Sequence, residues 1–238
     1  MGVPPGTPAV LKGPPVDPIL LLIVALGLLA VGWQGHRLSR ASAARRAARA
    51  GFLAACVPLL SDTRLRIEPD GFPRLAGTSG GARFDLRVVP DTLTTRKLPA
   101  LWLLVTLTEP SPLPATWHLM LRPRGTETFS AFDRLPRILP PQPGLPEDSQ
   151  IRTDLGGPPP PALAEVVARL GEDRLKEVVL SPGGLRVTWL AEEAHRGRYL
   201  IFRDAEMGRE PLPPETLAPL LDALLGLRAS LGPERRRA

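Results

Sequence analysis

The sequence predicts an α+β protein with a mainly antiparallel sheet and packed helices, preceded by a single N-terminal transmembrane helix. Apolar and polar residues alternate with a period of two at several places after residue 61, as in half-buried strands. Hairpin connections dominate, and no regular strand–helix–strand alternation appears, which argues against a parallel sheet. Residues 18–35 contain no charged side chain, which indicates a membrane span.

The N-terminal segment divides into a tail and a membrane helix. Residues 1–17 are rich in proline and are predicted to form an extended, unpacked tail. Residues 18–35 would form about 27 Å of helix, close to the roughly 30 Å of the hydrocarbon layer. Pro18 suits a first helical turn, and Trp33 suits an interfacial anchor.

Two other interpretations of the apolar segment fit less well. A helix of a soluble protein that packs on the surface of the core would show a polar stripe on one side, and residues 19–33 show none. A cleaved signal peptide would have a short basic segment before the apolar run and an A-x-A pattern after it. Here a long proline-rich tail comes first and five arginines come next. A retained anchor is therefore predicted.

The net charge of +6 belongs to two short segments. Residues 51–233 hold 21 basic and 22 acidic residues, so the folded body carries −1 and shows no basic footprint for nucleic acid. Residues 233–238 form a small basic tail. Residues 36–60 are predicted to form a basic juxtamembrane helix, whose arginines would contact anionic lipid head groups. These predicted membrane-surface residues are Arg37, Arg40, Arg45, Arg46 and Arg49.

The same arginines predict the orientation. Positive residues beside a membrane span favour the cytoplasmic side, so the main domain is expected in the cytoplasm and the short N-terminus outside. Arginine supplies 27 of the 30 basic residues, and alanine, proline and glycine are abundant, as in the proteins of high-GC bacteria. The predicted location is therefore a bacterial inner (cytoplasmic) membrane.

The first part of the folded body is predicted to be all strand. Ala82–Val89 alternates, with apolar residues on one face and charged residues on the other. Leu101–Thr108 is a continuous apolar run typical of a central strand covered on both faces. Thr116–Arg122 alternates again, and Thr128–Phe132 is predicted as a short edge strand.

The second part is predicted to mix helices and strands. Ala162–Leu170 has the apolar spacing of a helix. Leu175–Leu180 and Leu185–Leu190 flank Ser-Pro-Gly-Gly, which is a hairpin signal. Arg198–Arg203 is predicted as a further strand, and Pro214–Leu231 as an amphipathic helix.

These elements define the predicted domains. A cytoplasmic α+β domain is expected over residues 61–232, and it would divide into two half-domains near residues 133–161, where prolines interrupt the pattern. The loops 136–148 and 156–161 are the proline-rich parts of that stretch.

No motif in the sequence predicts a catalytic or metal centre. Residues 77–81 match G-x-S-x-G, but a strand follows instead of the helix that a hydrolase elbow requires, so a Gly/Ser-rich turn is the better interpretation. His36, His118 and His195 are isolated, and Cys56 is the single cysteine. No metal site, cofactor or disulfide is therefore expected. His118, in an alternating strand, is predicted to be partly exposed or satisfied in the core rather than catalytic.

The densest polar segment, residues 192–206, is the candidate ligand site. A histidine beside carboxylates suits general-base chemistry, and arginines suit an anionic ligand. A charged turn that frames a strand explains the same residues without a ligand. The candidate residues are His195, Arg198, Arg203 and Asp204.

The leading functional hypothesis is a membrane-anchored, non-catalytic binding or accessory module of a membrane assembly, with the lipid bilayer and a membrane protein as partners. The alternative is a membrane-bound enzyme without a recognisable motif, with its site near His195.

Overall fold

A computed structural model of the chain describes residues 18–92, 98–123, 125, 127–202 and 207–232. The predicted tails, residues 1–17 and 233–238, lie outside the described residues. The chain divides into two compact units, Met1–Ala44 and Arg45–Ala238. In the first unit, the described residues 18–44 are entirely helical.

Helix α1 (Pro18–Ala50) contains the predicted membrane span and the residues after it. None of its residues is buried. Alanine and arginine favour helix over residues 36–50, and Gly51 ends it. A 3₁₀ helix, Ala54–Leu59, follows and contains the buried thiol of Cys56. Burial and the nearby Glu215 carboxylate raise the pKa of this thiol to about 11.

The second unit contains a nine-stranded sheet among its described residues, with strand order β1-β2-β3-β4-β9-β8-β5-β7-β6. Every neighbouring pair of strands is antiparallel, which confirms the predicted α+β class. The strands are β1 (Ser61–Ile67), β2 (Pro73–Ser79), β3 (Ala82–Asp91), β4 (Ala100–Leu107), β5 (Trp117–Leu121), β6 (Arg137–Leu139), β7 (Ser149–Thr153), β8 (Leu175–Ser181) and β9 (Gly184–Glu193).

Helices α2 (Ala162–Leu170) and α4 (Pro214–Leu231) have the bounds that the apolar spacing predicts. Their apolar residues share one core cluster with the inner face of the sheet. Leu86, Leu103 and Val187 occupy that inner face and are fully buried. Neighbouring residues of a strand point to opposite faces of the sheet. The helices pack on the inner face, and the opposite face is here called the outer face.

Strand β4 is central, as predicted, because β3 and β9 pair with its two edges. Its outer face is also covered, since the ring of Trp102 contacts the ring of Phe129 with 5.2 Å between centroids. Of the glycine-rich residues 77–81, the first three end β2, and Gly80 and Gly81, both with positive φ, form the turn to β3. This turn confirms the structural interpretation of the G-x-S-x-G match.

The predicted hairpin is formed by β8 and β9, and its turn depends on one glycine. Gly184 has φ +150, and a β-carbon there would collide with the carbonyl oxygen of Leu107 in β4. The neighbouring Gly183 has only ordinary contacts, the nearest being Ser181 Oγ at 3.9 Å.

We expect Gly184→Ala to lower the free energy of unfolding by about 1–3 kcal/mol, because the new methyl group forces the backbone of two strands apart. Urea unfolding of the full chain in detergent micelles, followed by tryptophan fluorescence, measures the loss. The matched control Gly183→Ala should stay within about 0.5 kcal/mol of the wild type. Equal losses in the two variants would contradict this account of the turn.

Two predicted strands are wrong. Residues 196–202 form helix α3 (Arg196–Phe202) instead of a strand over Arg198–Arg203. Both edges of β9 are already paired, one with β4 and the other with β8. The residues that follow β9 therefore have no free sheet edge beside them. Its backbone groups are satisfied locally, as in the 2.9 Å bond from Tyr199 N to His195 O.

The second wrong strand is Thr128–Phe132, which forms a turn leading into a 3₁₀ helix, Phe132–Arg134. The hydroxyl of Ser130 accepts a 3.0 Å bond from Phe132 N, and this local bond competes with strand pairing. Conversely, the proline-rich loop 136–148 contains the short strand β6. No predicted element corresponds to strands β1, β2 and β7.

Candidate functional site

Among the described residues, α1 is the helix long and apolar enough to cross a membrane, judged by length and composition. Its large apolar side chains are open to the surroundings: Leu28, Leu29 and Trp33 are 69%, 70% and 66% exposed. Exposed apolar surface of this extent is costly in water and is stable in lipid. The chain thus has an N-terminal apolar helix suited to anchoring in a membrane.

The predicted membrane-surface arginines all lie on α1. Four of them, Arg37, Arg40, Arg45 and Arg46, are exposed. Arg49 is half-buried, and its guanidinium lies 5.5 Å from the centroid of the Phe72 ring. Arg49 therefore contributes a cation–π contact to the packing of the second unit.

The predicted ligand site is described only at His195. This residue is exposed and directly precedes α3. The side chain of Arg198 and the whole of Arg203 and Asp204 lie outside the described residues. The assignment of a ligand to these residues stays a prediction.

A buried polar cluster on the outer face, which sequence reasoning missed, surrounds the carboxylate of Glu177. Its Oε2 accepts a 3.0 Å bond from Arg186 Nη2 and a 3.2 Å bond from the Thr188 hydroxyl. Its Oε1 accepts a bond from the Ser130 hydroxyl and lies 3.3 Å from His118 Nδ1. That contact with His118 is an ion-pair distance without hydrogen-bond alignment.

The register of the strands explains this cluster. Glu177 of β8 lies opposite Thr188 of β9, and Arg186 and His118 lie opposite Val179, two residues further along β8. All these side chains share the outer face because their positions differ by even steps. His118 and Glu177 are 59 positions apart in sequence, so no local pattern could have shown that they lie together.

Residues 127–134 cover the cluster. Besides Ser130 and Phe129, the segment contributes Phe132, whose ring centroid lies 5.0 Å from the Arg152 guanidinium. At the start of the segment, Glu127 forms a 3.0 Å ion pair with Lys176, and both side chains are buried. The segment therefore closes the cluster from solvent, and Glu177 has no exposed surface.

The surroundings of Glu177 keep it ionised. Burial by itself raises the pKa of a carboxyl group, but the His118 ring, the positive charge of Arg186 and the Ser130 hydroxyl outweigh burial. The net result is a pKa below the ordinary value of 4.5. His118 is 6% exposed, so of its two predicted environments the structure has the buried one.

The cluster has the chemistry of an internal ion-pair network rather than a reaction centre. The Glu177 carboxylate that accepts the Ser130 bond has no exposed surface, so a substrate cannot reach it in this arrangement. In the described part of the chain, no group of three or more histidine, cysteine, aspartate or glutamate side chains is placed to hold a metal ion.

Comparisons with known proteins give no relative from which a role could be carried over. No protein-family model, curated protein or solved structure matches this chain. The features of the chain that bear on its function are therefore its own: an apolar N-terminal helix, and an antiparallel α+β domain with a closed polar cluster.

Proposed function

We propose that this chain is a single-pass protein of a bacterial inner membrane, whose α+β domain lies in the cytoplasm and acts as a non-catalytic binding or accessory module. In this proposal residues 18–35 cross the bilayer, residues 36–50 follow the inner surface, and residues 61–232 form the module. The observation that carries it is the wholly exposed apolar helix followed by five arginines.

The energetics support retention in the bilayer. About twenty apolar residues are enough to span the hydrocarbon layer, and residues 18–35 come within two residues of that length. The four exposed arginines, Arg37, Arg40, Arg45 and Arg46, then meet the anionic cytoplasmic leaflet, where each contributes roughly 1 kcal/mol. The same charges oppose transfer of the following domain across the membrane.

The closed polar cluster supports a binding role over catalysis. A catalytic carboxylate must reach a substrate, and Glu177 is completely buried beneath residues 127–134. Its charge is already matched by Arg186. These groups hold the sheet and its cover together, so the module would act through its surface, with a membrane protein as its partner.

A reporter fusion tests the proposed orientation. A reporter that works only after export, fused behind residue 60 of the full N-terminal segment, should be inactive, because the positive-inside rule keeps that point in the cytoplasm. Replacing the five arginines of residues 36–50 by glutamine should raise its activity. In the full chain, replacing Arg235, Arg236 and Arg237 by glutamine is the control and should leave protease accessibility of the domain unchanged.

Strong reporter activity in the unmodified fusion would overturn the orientation. Removal of the anchor as a signal peptide is a separate outcome, and the mass of the membrane-bound protein detects it. An intact anchor gives the full 25.7 kDa, whereas cleavage after residue 35 gives a shorter chain.

A further inference from the structure

A row of three arginines crosses three neighbouring strands on the outer face. Arg66 of β1 lies opposite Arg74 of β2, and Arg74 lies opposite Arg87 of β3. Adjacent strands lie about 4.8 Å apart, so three guanidinium groups start from backbone positions within about 10 Å. Like charges placed directly opposite each other destabilise a sheet, so this row has a cost that folding alone does not explain.

The carboxylates nearby neutralise only part of this charge. Asp85 binds Arg74 with both oxygens, at 2.7 and 3.0 Å, and Glu68 binds Arg66 at 2.6 Å. Arg64, Arg83 and Arg87 are exposed and have no ion-pair partner among the described residues. Arg64 and Arg83 also point to the outer face, since they lie opposite Ala76 and Thr78.

Five arginines and three carboxylates, Glu68, Asp85 and the buried Asp91, therefore give the outer face of β1–β3 a local charge of +2. The body as a whole, residues 51–233, carries only −1. Three exposed arginines without an ion-pair partner in the part of the chain that the structure describes, Arg64, Arg83 and Arg87, thus lie on one open part of the sheet in a nearly neutral domain.

We propose that the outer face of β1–β3 docks on the anionic lipid head groups of the membrane that holds the anchor. This inference rests on the proposed membrane anchoring. Arginine binds phosphate through several N–H donors at once, and an array of lipid phosphates provides many acceptors in one plane.

Two observations favour lipid over nucleic acid. Proteins that bind single-stranded nucleic acid combine basic charge with aromatic rings on which bases stack. The outer face of β1–β3 carries no aromatic side chain over residues 61–91, all of which the structure describes. In addition, residues 36–60 span at most about 90 Å even when fully extended, so the anchor keeps the domain at high local concentration near the bilayer.

Fluorescence quenching in nanodiscs tests the docking in the full chain. A fluorophore on Thr78→Cys reports from the outer face beside Arg83, and Cys56 is buried and so is protected from the label. The discs contain phosphatidylcholine alone or mixed with phosphatidylglycerol, each with a lipid that carries a quencher on its head group. We expect stronger quenching of the Thr78 label in the anionic discs, and less of this difference at high salt.

Matched charge variants identify the arginines responsible. Replacing Arg64, Arg83 and Arg87 by glutamine should lower the ratio of docked to undocked protein by about 100-fold, at the usual contribution of a basic residue near an anionic leaflet. The control variant replaces three exposed arginines elsewhere by glutamine, namely Arg134, Arg169 and Arg174. In this variant the Thr78 label should be quenched in the anionic discs as in the unmodified protein. A label on the exposed Ser230→Cys of α4 should show little quenching in either disc.

Three results would overturn the docking. The first is equal quenching of the Thr78 label in neutral and anionic discs. The second is an equal reduction of that quenching by the two triple variants. The third is protection of the Thr78 label from the head-group quencher by single-stranded RNA in neutral discs. Failure of the anchor itself looks different, because alkaline carbonate would then wash the whole protein from vesicles. Protein that resists the wash while the Thr78 label stays unquenched contradicts the docking alone.

Discussion

Replacing Leu26 and Leu29 together by arginine should release the chain from the membrane. Both residues lie in the middle of the uncharged segment and are 57% and 70% exposed. An arginine at the centre of a membrane helix costs about 2.5–3.5 kcal/mol, so the pair costs about 5–7 kcal/mol. Extraction of isolated membranes with alkaline carbonate measures the effect, and the variant should move from the pellet to the supernatant.

The matched control keeps the same positions apolar. Leu26→Ala with Leu29→Ala removes bulk without adding charge, and the protein should stay in the pellet. If the double arginine variant also stays there, the helix does not hold the chain by crossing the lipid, and the anchor is wrong.

Glu177→Gln should cause the largest loss of stability in the folded domain, about 3 kcal/mol. The change preserves side-chain volume but leaves the positive charge of Arg186 without its buried counter-charge, which typically costs 3–5 kcal/mol. The amide oxygen still accepts a hydrogen bond from Ser130 or Thr188, which places the expected loss at the low end of that range. Urea unfolding in detergent micelles gives the free energy of unfolding.

The effect should depend on pH, with a definite sign. The folded state lowers the pKa of Glu177 below 4.5, so its ionised form stabilises the fold above pH 4.5. That stability is lost as the pH falls through the folded pKa. The difference between wild type and Glu177→Gln should therefore be full at neutral pH and shrink below pH 4.5.

An exposed glutamate on the neighbouring strand provides the control. Glu193 ends β9 and is exposed, so Glu193→Gln should change the free energy of unfolding by less than about 0.5 kcal/mol at any of these pH values. A loss at Glu177 no larger than this, or one that grows in acid, would show that the cluster contributes little to the fold.

Local patterns were sufficient for much of the fold. The hydrophobic spacing of α2 and α4 predicted both helices at the correct residues, because their apolar stripes face the core. The alternation of Ala82–Val89 identified β3 for the corresponding reason in a strand. The Ser-Pro-Gly-Gly turn predicted the hairpin of β8 and β9, since Gly184 has the backbone angle that the turn needs.

The strand order and the polar cluster could not be predicted from such local patterns. β4 pairs with β9, which follows it by about 80 residues, and β5 joins the sheet beside β8. The burial of Glu177 depends on this order and on the cover supplied by Ser130, so the sequence around Glu177 resembles an ordinary half-exposed strand. The candidate site at His195 was chosen from local charge density alone, which does not distinguish a ligand site from a solvated turn.

The error at residues 196–202 has a similar cause. A short apolar run with aromatic residues fits a strand or a helix equally well by periodicity. The sheet had no free edge beside β9, and this global fact decided in favour of α3.

The pairing of β4 with β9 also sets an order of events during protein synthesis. Strands β1–β4 leave the ribosome early, but the partner of β4 emerges about 80 residues later. At 5–20 residues per second this delay lasts about 4–16 s. Throughout that interval the nascent chain exposes a leucine-rich strand edge, and only the arrival of the β8–β9 hairpin closes it.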